Sequence, residues 1–115
     1  MLLCVSLLGA AAIVREFDFS ILKRRIDGNS STVRVKRGET VQIRWRADEP
    51  VLLHVHGYDL EVRLSPEAPA SMRFQAAIAG RFAITAHEFG ADATHGARPR
   101  RQRETTLLYI EVLPE

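Results

Sequence analysis

The sequence predicts an all-β fold, an antiparallel Greek-key β-sandwich, and three observations carry that prediction. Apolar residues alternate with polar ones along most of the chain, as strands with one buried face require. Turn-forming clusters interrupt these runs at intervals of roughly ten residues, the spacing of short strands in sandwiches and barrels. After the first dozen residues no segment holds a helical apolar period, so little helix is expected.

In chain order the alternating runs are Phe17/Phe19/Ile21, Val33/Val35, Val41/Ile43/Trp45, Val62/Leu64, Met72/Phe74, Phe82/Ile84 and Leu108/Ile110/Val112. Between them stand Asp27-Gly28-Asn29-Ser30-Ser31, Lys36-Arg37-Gly38-Glu39, Ala47-Asp48-Glu49-Pro50, Ser65-Pro66-Glu67-Ala68-Pro69 and Ala79-Gly80, rich in residues that pre-set or tolerate turn backbone. About seven or eight strands result. Val41, Ile43, Trp45, Phe74, Phe82, Ile84, Ile110 and Val112 are expected in the core, with Tyr58 packing against Trp45. His87 to Glu104 is unpatterned and reads as a long loop before the last strand, of the kind that usually carries function.

A chain of 115 residues with 46% apolar content supports a single core, and hence one domain over residues 13–115. Residues 1–12 form a separate apolar segment whose small-residue ending resembles the latter part of a secretory signal peptide, though a basic start is missing. It is too short to cross a bilayer, so the protein is not read as transmembrane; the segment reads as an export remnant of a periplasmic or otherwise exported protein whose start lies upstream of Met1, with a clipped or buried apolar N-terminus as the alternative. Cleavage near Ala12 would remove Cys4 and leave no thiol in the mature chain. A net charge of +2, mixed along most of the chain, gives no ground for nucleic acid as a partner. Arg98, Arg100, Arg101 and Arg103 are the exception. They offer a patch for an acidic protein partner or an anionic surface, set against the commoner reading of a solvated loop.

No glycine-rich phosphate loop or nucleophile elbow is present, and the chemistry concentrates in four histidines. His54 and His56 stand one residue apart on an extended run, so both imidazoles leave the same face about 6–7 Å apart. Val51, Leu53 and Val55 take the core face, which turns the pair outward. A single strand histidine is often just satisfied by a backbone carbonyl; two at this spacing suit a shared metal. His87 and His95 lie in the later stretch that a sandwich could bring to the same end. Asp59, Glu61 and Glu88 stand close enough in sequence to serve as oxygen ligands or to orient the rings.

Taken together, Val35-Lys-Arg-Gly-Glu-Thr-Val-Gln-Ile-Arg-Trp45, the strand ending in His56-Gly-Tyr58, Pro66 to Phe74, Ala79-Gly-Arg-Phe-Ala-Ile-Thr85 and Leu108-Tyr-Ile-Glu-Val112 resemble a cupredoxin domain over nearly all of Phe17 to Leu113. The resemblance implies a histidine-bearing strand end at His56, a later ligand near His95, and a copper-binding cysteine just after the Gly80–Ile84 strand. At that point the chain reads Thr85-Ala86-His87-Glu88, without a thiol, and the methionine usual in that loop is missing too. A blue or purple copper centre therefore lacks its sulfur ligands.

The leading expectation is an exported cupredoxin-like protein that binds copper, with zinc as the alternative ion, through His54, His56, His87 and His95, and that handles metal rather than transferring electrons. A metal-free interaction or assembly module is the alternative. An enzyme reading rests only on His54-x-His56 followed by Glu61, which resembles the first metal motif of cupins but lacks its glycine and its second half.

Overall fold

The computed structural model describes residues 13–26, 32–90 and 104–114. Nine strands cover most of them: β1 Val14–Leu22, β2 Arg25–Ile26, β3 Thr32–Lys36, β4 Thr40–Ala47, β5 Val51–Val55, β6 Leu60–Leu64, β7 Ala70–Gln75, β8 Gly80–Phe89 and β9 Thr105–Leu113. They form a four-stranded sheet in the order β2-β1-β4-β7 and a five-stranded sheet in the order β3-β9-β8-β5-β6. No described residue is helical.

The alternation in the sequence decides what each strand buries. β4 sends Val41, Ile43, Trp45 and Ala47 inward and leaves Arg44 and Arg46 exposed. Facing them from the other sheet are Val33, Val35, Val51, Leu53, Val55, Ile84, Ala86, Leu108, Ile110 and Val112, all buried in one core. Each large aliphatic side chain removed from water in this way contributes about 1.5–3 kcal/mol, which is what holds the two sheets together.

Two pairings are parallel, β1 with β4 and β3 with β9, while the rest are antiparallel as expected. The chain leaves the first sheet after β2, lays β3 in the second and returns as β4. Such a crossover is what permits a parallel neighbour. Phe74 and Phe82 are only partly buried, at the margin of the core. Tyr58 packs on these two rings, at 4.8 and 5.0 Å between centroids, and not on Trp45, whose ring partner is Phe19 at 5.5 Å. The reason is position: Tyr58 lies in the turn after β5, at the rim of the sandwich, where its hydroxyl donates to the Ile78 carbonyl at 2.9 Å. Gly57 makes that turn possible. Its φ is +85°, and a Cβ there would stand 2.3 Å from the Phe82 ring.

At the same end, Glu39 is nearly buried in the β3–β4 turn. Its carboxylate accepts the Lys36 N–H at 2.8 Å and pairs with the Arg15 guanidinium, tying β1 to the turn. The hydrogen bond from Arg15 is the main cause holding this carboxyl below the usual range.

Candidate metal centre

Val51, Leu53 and Val55 belong to the core, so His54 stands on the outer face of the five-stranded sheet. β5 ends at Val55, and the His56 N–H donates to the Ala83 carbonyl at 3.0 Å as the chain begins to turn. The two imidazoles thereby converge to 4.4 Å between centroids, closer than an undistorted strand would hold them.

β8 supplies the next two groups. Ile84 and Ala86 are core residues, and Thr85 between them turns to the histidine side. Against β5, Ala86 pairs with Leu53 and Glu88 with Leu52, which leaves His87 as the extra residue of a bulge. Bulges re-aim side chains, and this one sets the His87 ring 5.1 Å from His54 and 6.3 Å from His56. Across the ladder Ala86 pairs with Thr105 of β9, so the preceding residue, Glu104, arrives beside His87. Its Oε1 lies 3.2 Å from His87 Nε2 and 3.5 Å from His56 Nε2. One donor atom from each of His54, His56, His87 and Glu104 lies within 4.8 Å of all the others.

These distances can be tested against coordination chemistry. Bonds of about 2.0–2.2 Å in a tetrahedron place neighbouring donors about 3.3–3.6 Å apart. The two carboxylate–imidazole contacts match that edge; the wider separations in the group require a side-chain rotation. The Thr85 hydroxyl, buried with its residue, lies 3.1 Å from His56 Nε2 and 3.4 Å from His87 Nε2, the same nitrogens that face Glu104, and gives way to an ion bound there. His87 is only 12% exposed, whereas His56 at 38% and Glu104 at 42% open toward solvent. Three imidazoles and a carboxylate suit Cu(II) or Zn(II), and no sulfur stands among them.

Of the residues singled out in the sequence, His54, His56 and His87 come together. His95 lies outside the described residues, as do Arg98, Arg100, Arg101 and Arg103, and the 1–12 segment with Cys4. Asp59 is exposed in the β5–β6 turn with a left-handed φ of 51°, and it serves the turn rather than the histidine group. Glu61 pairs with His54 across the β5–β6 ladder but is exposed and stays outside the group, which removes the support for a cupin-like site. Glu104 was not anticipated. It could have been found only from the β8–β9 register, since nothing in its local sequence marks it.

By sequence, no protein-family model and no curated protein matches this chain. By structure it is similar to a heme-copper terminal oxidase dimer solved by cryo-EM, with 18% identity and a TM-score of 0.58 over 85% of this chain and 63% of that one. It is similar also to a copper nitrite reductase from Nitrosomonas europaea, at 17% identity and a TM-score of 0.60 over 89% of this chain and 42% of that one. A multicopper oxidase from Pseudomonas thermotolerans matches at 17% identity and 0.56, over 91% and 30%. The chain thus spans less than two thirds of each of these proteins. The class that the fold defines is the cupredoxin-like β-sandwich.

Proposed function

We propose that this is an exported cupredoxin-like protein that binds a copper-type divalent ion through His54, His56, His87 and Glu104, with His95 as a further ligand, and that it holds or delivers the metal. The observation that carries the reading is the convergence of three imidazoles and a carboxylate on one face, with two donor contacts of 3.2 and 3.5 Å. Copper in such a set is held by nitrogen and oxygen donors alone, which favours tetragonal Cu(II) over the trigonal geometry that thiolate supports. His54 and His87 are anchored by the β5–β8 ladder, while Glu104 at the start of β9 is the more exposed arm. Export is supported by the apolar segment of residues 1–12.

Metal analysis of the purified protein, followed by calorimetric titration of the wild type and a His54→Ala/His56→Ala variant with Cu(II) and Zn(II), tests the reading. One equivalent of tightly bound ion, lost in the variant, is expected. A second reading, the metal-free interaction module, is favoured by one observation: Thr85 and Glu104 already give His56 and His87 hydrogen-bond partners. Titration without binding would select it.

A further inference from the structure

The outer face of the four-stranded sheet carries a recess of about 560 Å³ that shares no residue with the histidine group. It is lined by Asp18 and Ser20 of β1, Arg44 and Arg46 of β4 and Ser71 of β7, and Trp45 contributes to it from β4. The ladder explains the assembly. Asp18 stands level with Arg44, Ser20 with Arg46, and Ser71 with Arg44 on the other side. The short serines flank two long side chains and leave the space between them open.

Arg15, Arg24 and Arg34 each reach a glutamate, whereas Arg44 and Arg46, like Arg25, Arg73 and Arg81, have no ion-pair partner among the described residues; of these, Arg44 and Arg46 are the two that border the recess. Asp18 directly across from Arg44 does not pair with it. Isolated exposed arginines are usually just solvated; here two of them border a recess of the size that small ligands occupy. Each guanidinium presents a planar fork that fits a carboxylate by two parallel hydrogen bonds. Residues two apart on a strand are about 6.5–7 Å apart, so the two forks favour a ligand with two separated anionic groups over one with a single charge. Asp18 disfavours anything more highly charged.

We propose that this recess is a binding site for a small dicarboxylate, one carboxylate on Arg44 and the other on Arg46. The experiment is an amide NMR titration of the metal-free protein with succinate at constant ionic strength, with inorganic phosphate and chloride as parallel titrants. Saturable shifts confined to the neighbourhood of Ser20, Arg44, Arg46 and Ser71 are expected with succinate, and weaker binding with phosphate. An Arg44→Gln/Arg46→Gln variant with an otherwise unchanged spectrum should bind succinate at least tenfold more weakly. His54→Ala/His56→Ala should bind it as the wild type does, which separates this site from the metal reading. Shifts that chloride reproduces, phosphate binding equal to or tighter than succinate binding, or affinity unchanged in the glutamine variant would each overturn the proposal.

Discussion

Replacing His87 by alanine is the sharpest probe of the histidine group, because the structure moves this residue from a loop into the β8 bulge. Were it a loop ligand, the chain could readjust and its loss would matter little. Held by the ladder at 12% exposure, with Glu104 Oε1 3.2 Å from its ring, it has no such freedom. Tight divalent sites release about 10–16 kcal/mol on binding, so one donor of four accounts for about 2.5–4 kcal/mol. His87→Ala should therefore weaken Cu(II) binding by roughly 10²–10³-fold, and His56→Ala by a similar factor. Thr85→Val keeps the shape and removes a hydroxyl that engages the same Nε2 atoms of His56 and His87 that face Glu104, so Cu(II) affinity should be unchanged or rise. Calorimetry against a competing chelator resolves these steps, and a thermal melt of each metal-free variant controls for stability. A His87→Ala affinity within threefold of wild type, or a larger loss for Thr85→Val than for either histidine, would refute the assignment of His87 as a ligand.

The Cu(II)-loaded protein should show only weak ligand-field absorption, because the described donor set of three imidazoles and a carboxylate holds no thiolate; an intense blue or purple band in its optical spectrum would contradict that set. Ligating imidazoles must be neutral, so protons compete with the ion and Cu(II) affinity measured from pH 8 to 5 should fall toward acid pH, and a flat profile would exclude histidine ligation. Glu39 has its carboxyl pKa lowered by Arg15, so its contribution to stability is complete above the unfolded carboxyl range near 4.3 and is lost as pH falls through the lower folded value. Urea midpoints from pH 7 to 3 should therefore converge for wild type and Glu39→Gln at the acid end, with the wild type more stable at neutral pH. Gly57→Ala places a methyl 2.3 Å from the Phe82 ring at φ +85°, which should cost about 1–3 kcal/mol and lower the melting temperature by several degrees; an unchanged melt would show that the turn is not held as described.

What could be read in the sequence was whatever depends on period two. Val41, Ile43 and Trp45 are apolar and share one face of β4, which therefore turns to the core, and the same period sets His54 on the face opposite Val55. Facts that depend on pairing were out of reach. The parallel β1–β4 and β3–β9 ladders follow from where the chain crosses between sheets, and no residue in either strand encodes that choice locally. The histidine group shows the same division. His54 and His56 are neighbours in the chain, so their shared face is a local property. His87 joins them only because one extra residue between the pairs Ala86–Leu53 and Glu88–Leu52 turns it outward, in a stretch that by pattern alone looked like the start of a loop. Glu104 joins because β9 begins level with Ala86, seventeen positions beyond His87 in sequence and one ladder step away in space. A carboxylate beside a run of arginines reads as a surface charge. It becomes a ligand candidate only when the β8–β9 register sets it against the imidazoles, and moving that register by one residue would send Glu104 to the opposite face and dissolve the group.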